Sequence, residues 1–512
     1  MNTPKPTVPS RPDPKILEAI FRRAMEMVET GKLDAAVSEF KTLLTLVPDQ
    51  AAVHFNLGNA LRRLGRNEEA AACFRRSLDL EPDDPQAHYN LGNALTALGR
   101  IEEATACLER ATRIAPTFAD AHFNLGGLLL SSGDHAAAAQ RFRTVIELKE
   151  NHFSAHLQLG RALIFDRHGK QAIPVLRSAL AMAPDNADAC IALGNAFFEI
   201  DRFDDAVVAY RKAIDLEDDN PDYLYNLGNA YYRQSRLEEA VGIFQRAAQL
   251  APANAAIFFN LGNAYHRMGM MQRAADCFLK ASELDSTNEE AAHMLAAMTG
   301  RTTTSAPKAW VRRLFDQYSD RFEQHLTEDL GYAAPEQLAD ALKSVTGPSP
   351  VFSHALDLGC GTGLSGLPFR AMTRRLTGID LSENMVAAAR KKQVYDDLRV
   401  DGIIEFLSAT TKRYDLVIAT DVLIYLGAAD ALFGLIGRQT SKDAAMVLSI
   451  EATTDADYVL RSTGRYAHSD SYIHRLARGN GFAVRSCLPA RIRKEAGHWI
   501  MGSLFVLKKE AI

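Results

Sequence analysis

A leucine followed by a glycine returns every 34 residues through the first half of this chain, at Leu57, Leu91, Leu125, Leu159, Leu193, Leu227 and Leu261. An alanine recurs at the same interval in the other half of each unit, as Ala36, Ala70, Ala104, Ala138, Ala172, Ala206, Ala240 and Ala274. A strict period of this length marks an array in which each unit stacks on its neighbour, so the 512 residues need no single core. Leu57 and Leu61 share one helix face, and Ala70 and Phe74 share another. Each unit therefore reads as two packed helices whose apolar faces need a neighbour.

Pro48, Pro82, Pro116, Pro184 and Pro252 close five of the units. With these prolines the pattern resembles the tetratricopeptide repeat, with eight units over residues 17–288. The first unit carries Arg23 and Ala24 in place of Leu-Gly, and EEAAHMLAAMTG at 289–300 reads as a capping helix. Residues 1–16, rich in proline and polar groups, are expected as a disordered lead-in, with no apolar stretch of the kind a secretory signal needs.

Asparagines recur beside the leucines at Asn56, Asn90, Asn124, Asn226 and Asn260, and three residues on at Asn59, Asn93, Asn195, Asn229 and Asn263. The spacing stacks each pair on one helix face. In this the array resembles the repeats of O-linked N-acetylglucosamine transferase. The resemblance implies that the first series binds the backbone of an extended polypeptide in the repeat groove, because a carboxamide supplies both a donor and an acceptor. The alternative is that the amides tie one repeat to the next. Gln158 and Ala192 break the series in mid-array.

At 47% hydrophobic and 24% charged residues the chain should fold. Its net charge of −5 provides no basic footprint for nucleic acid. Six cysteines without C-x-x-C pairing point to a reducing compartment, with neither disulfides nor a metal. No apolar run is long enough to span a bilayer, and the expected location is the cytoplasm.

The periodicity stops near Met298, and 301–309 has the composition of a linker. From 310 to 512 the short apolar runs HALDLG, RLTGID, YDLVIAT, AMVLSIE, FAVRSC and SLFVLKK alternate with helical stretches, the pattern of a doubly wound α/β sheet. ALDLGCGTGLSG at 355–366 runs from a strand into a glycine-rich turn where backbone can approach a ligand. Gly361, Gly363 and Gly366 also satisfy the dinucleotide fingerprint. Asp357, at the strand end, argues against that ligand, since a carboxylate there repels a pyrophosphate but suits an ammonium and a sulfonium. Asp380 ends the next apolar run, about where a ribose presents its hydroxyls.

From LDLGCGTG through GIDLSENMVAAAR to YDLVIATDVLIYL the order and spacing resemble class I methyltransferases, with their Rossmann-like fold and S-adenosylmethionine as cofactor. Over about 308–510 the chain is similar to repeat-containing bacterial members. The resemblance implies that the methionine moiety lies against Asp357, Gly359, Gly361 and Gly363, and the ribose on Asp380. It puts Leu381 and Met385 at the adenine pocket and Asp401 at the adenine amine. RQTSKDAAMVLSIE replaces the usual glycine-containing loop before the fifth strand.

A sulfonium methyl is already electrophilic, so the chief task is to orient a nucleophile and exclude water. A general base, where the acceptor needs one, would sit after the fourth strand, and Asp421 and Tyr425 are the candidates. Asp421 can equally bond backbone groups, and Tyr425 can pack in the core. Tyr318, Arg321 and His325 fall in a segment expected to cover the cofactor, and Tyr466 and His468 are candidates to face the acceptor. The leading expectation is a methyltransferase whose repeats recruit a polypeptide substrate or partner. The rivals are a scaffold with a non-catalytic cofactor-binding domain, and a small-molecule methyltransferase whose repeats serve assembly.

Overall fold

The computed structural model describes residues 13–316, 323, 326, 331–495 and 497–510. The chain divides into two compact units, Met1–Leu250 and Ala251–Ile512.

In the first unit seven helical hairpins follow one another from Pro14–Glu29 to Leu237–Leu250. The first helix starts inside the expected lead-in, because Asp13 caps it by accepting from the Lys15 amide and Pro14 opens its first turn. The repeat residues explain the packing. Ala36, Ala70 and Ala104 are fully buried, and a Cβ on Gly58 would lie 2.7 Å from the Phe74 ring of the partner helix. The leucine-glycine pair thus combines an apolar anchor with a site that only glycine leaves open.

The second unit begins with the repeat helices Ala255–Arg267, Met271–Leu284 and Glu289–Met298. They group with the α/β part through specific contacts. His293 Nε2 bonds the Gly464 carbonyl, 2.9 Å away, and the His293 ring lies against Trp310. The expected linker 301–309 is docked as well. Ala306 N donates to Tyr425 O, Ala428 N donates to Thr304 O, and Thr303 Oγ1 bonds the Tyr466 hydroxyl. Composition read this stretch as free because short polar residues also serve as backbone partners for a neighbouring loop.

The sheet contains β1 (Phe352–Leu358), β2 (Thr373–Asp380), β3 (Asp397–Val400), β4 (Tyr414–Ala419), β5 (Thr440–Glu451), β8 (Phe482–Glu495) and β9 (His498–Lys509). Its order is β3-β2-β1-β4-β5-β9-β8. The first five strands run parallel, and β9 and β8 are antiparallel. Apolar layers cover both faces, one around Phe433, Ile473 and Phe505, the other around Leu338, Phe369 and Ile492. A hairpin of β6 (Tyr458–Leu460) and β7 (Tyr466–His468) leaves the sheet. The segment RQTSKDAAMVLSIE, read as replacing a loop before the fifth strand, ends the helix Asp430–Gln439 and forms β5, with Asp443 at φ +60° and a register shift against β4. Among the described residues no helix is long and apolar enough to cross a membrane.

Candidate functional site

Strand order reverses between β1 and β4, and in open parallel sheets a ligand crevice forms beyond the carboxyl ends at that point. A cavity of about 330 Å³ lies there, lined by Gly359, Cys360 and Gly361 after β1, Asp380 and Leu381 after β2, and Thr420 and Asp421 after β4. Gly361 sits at φ +52°, and a Cβ built on it meets nothing within 4 Å. The turn therefore presents bare backbone to open space. The Asp380 carboxylate accepts from the amides of Gly361 at 2.9 Å and Ser382 at 2.9 Å. Burial holds its pKa above the usual carboxylate range, opposed by those same hydrogen bonds.

Other expected cofactor residues stand behind the lining. Asp357, Gly363, Met385 and Asp401 are not in the cavity wall. Asp357 is fully buried, and its Oδ2 accepts from Ser365 Oγ at 2.6 Å and Tyr395 Oη at 2.7 Å. Its Oδ1 has no partner among the described residues. Met385 is fully buried, and its amide donates to the cap residue Ser382. Asp401 accepts from the adjacent Gly402 amide, and the wall at that point is Gly402 and Ile403. The third glycine of the fingerprint faces no ligand, since a Cβ on Gly366 would lie 2.4 Å from the Tyr395 hydroxyl.

Burial pushes the Asp357 carboxyl up to about 7, against the downward pull of Ser365 and Tyr395. A folded-state pKa above the unfolded value favours the fold most at low pH, and that contribution is lost as pH rises through about 7. Asp357→Asn should therefore flatten the pH dependence between about 4 and about 8. Urea unfolding followed by tryptophan fluorescence tests this, because Trp310 and Trp499, the chain's two tryptophans, both lie in the second unit. Parallel pH profiles for the two proteins would refute it.

Asp421 lines the cavity at φ +54°. Its Oδ1 accepts from Ser449 Oγ at 3.2 Å and its Oδ2 from Arg493 at 3.1 Å. Arg493 also pairs with Glu451. Both oxygens of Asp421 are thus engaged, each keeping a lone pair for a further donor. Tyr425 lines the cavity too, with its ring against Trp310 and Phe315. Burial raises its phenol pKa, with Arg465 opposing, so at neutral pH it is a hydrogen-bond donor and not a base.

Tyr466 and His468 are fully buried and do not line the cavity. The Tyr466 hydroxyl bonds Thr303 and His468 Nε2 the Gly427 carbonyl, while His468 Nδ1 has no partner among the described residues. Arg465, one residue earlier, reaches the wall instead. Tyr318, Arg321 and His325 lie outside the described residues. Sequence reasoning missed Arg493, Glu451, Arg465 and Tyr332. Two consecutive buried residues in β8, Ile492 and Arg493, were the available signal, but they show only once the strand's register slip is seen.

In the first unit Asn56, Asn124 and Asn226 are half-buried, whereas Asn90 is 8% exposed. Asn124 Nδ2 donates to Asn93 Oδ1 at 2.7 Å, so amides of the two series join successive repeats. Asn56 Nδ2 donates to the Ala52 carbonyl of its own helix. Asn260 belongs to the second unit and is half-buried.

Family models for the tetratricopeptide repeat match residues 21–85, 55–117, 89–152 and 255–288, and a TPR repeat model matches 194–235 and 228–269. A methyltransferase domain model matches 355–441, which spans the glycine turn, Asp380 and Asp421. The chain carries tetratricopeptide repeats and a methyltransferase domain. The methyltransferase domain is similar to two ubiquinone biosynthesis O-methyltransferases. The one from Azorhizobium caulinodans is 25% identical over 145 residues, 28% of this chain and 56% of the relative. The one from Bradyrhizobium sp. (strain ORS 278) is 30% identical over 126 residues, 22% and 49% of the two chains. The chain thus spans about half the length of these relatives. Among solved structures, the TPR protein YrrB is 24% identical with a TM-score of 0.35, covering 36% of this chain and 96% of that one. MamA from Desulfovibrio magneticus RS-1 is 27% identical with a TM-score of 0.32, covering 33% and 96%.

Proposed function

We propose that this chain transfers a methyl group from S-adenosylmethionine to an acceptor, acts in the cytoplasm, and uses its repeats to recruit a polypeptide that is the substrate or a partner. The observation that carries the cofactor assignment is the cavity at the carboxyl ends of β1 and β4, with the bare Gly359–Gly361 backbone and the Asp380 carboxylate in its wall. Asp380 would accept from the ribose hydroxyls, Leu381 and Ile403 would flank the adenine, and the glycine turn would carry the methionine part. The Oδ1 of Asp357, without a partner among the described residues, fits a cationic group nearby, reached through the turn. Once bound, the cofactor supplies an electrophilic methyl group. The chain's part is to hold the acceptor in line and keep water out, with Tyr425 donating a hydrogen bond and Asp421 as proton acceptor if one is needed.

Calorimetric titration of the full chain with S-adenosylmethionine tests the reading. Binding is expected in the wild type, weakened at least about thirtyfold by Asp380→Ala, which removes a charge-assisted hydrogen-bond acceptor. Gly361→Arg should abolish it by filling the open space beside the turn. A folded wild type that does not bind would leave the repeats as the functional element, in a scaffold.

Asn56, Asn90, Asn124, Asn226 and Asn260 are the proposed peptide contacts, and the Asn93–Asn124 pair leaves the carbonyl of Asn124 available to a peptide amide. A second reading, a small-molecule O-methyltransferase, draws on the similar ubiquinone biosynthesis enzymes and on a wall rich in leucine, isoleucine and aromatic side chains. Transfer of labelled methyl groups into a fractionated lysate separates the two. Label in polypeptides, reduced by Asn56→Ala with Asn124→Ala, supports recruitment; label only below about ten kilodaltons, far under the size of a folded domain, supports the small molecule.

A further inference from the structure

The nine-residue helix Lys308–Asp316 has two working faces. Val311 and Phe315 line the cavity, and Lys308 pairs with Glu405 across its rim. Asp316 accepts from Ser382 Oγ at 2.5 Å. Ser382 caps the helix after Asp380 and its amide donates to the Asp380 carboxylate, so this contact reaches the cavity wall through one residue. The other face meets the last repeat. Arg313 pairs with Glu290, at the start of Glu289–Met298, and its guanidinium lies 5.6 Å from the centre of the Phe259 ring in Ala255–Arg267. Trp310, three residues earlier and so on the same stripe, lies 5.2 Å from the His293 ring.

Hydrogen bonds within this helix do not fix its position over the cavity. Its place over the cavity is therefore set by what grips its two faces. On the repeat side the grip is an ion pair between an arginine 49% exposed and a glutamate 13% exposed, backed by an aromatic ring. Such a half-open pair is partly screened, and the ring contact adds to it.

We propose that Arg313 is a positioning residue for the cofactor cavity. Held by Glu290 and Phe259 of the terminal repeat segment, it fixes Lys308–Asp316 against the cavity, so the last repeat sets how tightly the adenosyl ligand is retained. The proposal rests on the cofactor reading given above. It provides a physical line from the repeats to the methyl-transfer site, because anything that shifts Glu290 or Phe259 changes the seat of Val311, Phe315 and Asp316.

The test is S-adenosylhomocysteine titration of the full chain in four forms: wild type, Arg313→Glu, Glu290→Arg and the two combined. Each single variant should bind at least about fivefold more weakly, and the charge swap should recover part of that loss, the cation–π contact with Phe259 staying absent. Arg313→Gln, which removes attraction without adding repulsion, should fall between. Amide exchange of residues 308–316 should rise in the single variants and return in the swap, with the tryptophan-detected melting transition retained throughout. Unchanged affinity in the single variants, or a swap that restores nothing, overturns the proposal. If the wild type fails to bind while exchange still follows the charges, the cofactor reading falls and takes the affinity role with it, leaving only the tether.

Discussion

Arg493→Met is expected to destabilise the second unit by about 3–5 kcal/mol, the cost of leaving buried carboxylates without their counter-ion. Arg493 is 3% exposed and Glu451 5% exposed, and the guanidinium bonds both Glu451 and Asp421. Methionine fills a similar volume, so the loss reports charge and not a cavity. Its pH dependence has a definite sign. Burial already raises the Glu451 pKa, with Arg493 the chief opposing influence. Without Arg493 it rises further. A raised folded-state pKa contributes stability below the unfolded value and loses it as pH climbs through the folded value. The deficit should therefore be small in acid and grow toward neutral pH. Removing all three charges together, by Arg493→Met, Glu451→Gln and Asp421→Asn, should recover most of the loss, because no buried charge then lacks a partner. Urea unfolding read by tryptophan fluorescence at pH 4.5 and 7.5, values bracketing about the carboxylate-to-neutral range, measures both effects. A loss under about 1 kcal/mol, the scale of an exposed pair, would mean the cluster is effectively solvated.

Gly194→Val should cost the first unit about 3 kcal/mol, at the upper end for overpacking. A Cβ on Gly194 would lie 2.3 Å from Cε1 and 2.5 Å from Cδ1 of Tyr210. That ring is 1% exposed, and its hydroxyl donates to Asn195 Oδ1 at 2.7 Å, so it cannot swing aside without breaking a buried bond. The helices Ala187–Glu199 and Phe203–Leu216 must separate instead. Gly127→Ala provides the contrast. Gly127 is exposed, and a Cβ there meets nothing within 4 Å. That change should be stabilising by up to about 1 kcal/mol through helix propensity alone. Far-UV circular dichroism, to which the first unit's fourteen helices among the described residues contribute strongly, should show the shift, while tryptophan fluorescence should stay unchanged because both tryptophans lie in the other unit. Equal effects from the two substitutions would show that propensity, not helix contact, governs the glycine positions.

The glycine turn after β1, the apolar runs and the acid ending β2 were all legible, because each is a local pattern carried by adjacent residues. The site was legible only in part. Gly359, Gly361, Asp380, Leu381, Asp421 and Tyr425 come together in the cavity wall, whereas Asp357, Gly363, Met385 and Asp401 stand behind or beside it. A motif marks a place along the chain, but which atoms of it face the ligand depends on what fills the space behind. Here Tyr395, 38 residues beyond Asp357, occupies that space and donates to one oxygen of the carboxylate. Nothing near either residue announces the pairing.

Local spacing alone determined the repeat hairpins and the alternating α/β pattern, since four-residue and 34-residue periods fix which side chains share a face. Tertiary structure alone decided where the boundary between the two units falls, and that Thr303 to Ala306 dock where a linker was expected. It also assembled Asp421, Glu451 and Arg493 from three strand ends, the arginine lying 72 and 42 residues from its partners. The physical reason is range. Periodicity records contacts within a few turns of chain, whereas buried charge pairing and loop docking depend on register and on exclusion of water, which exist only once distant segments have packed.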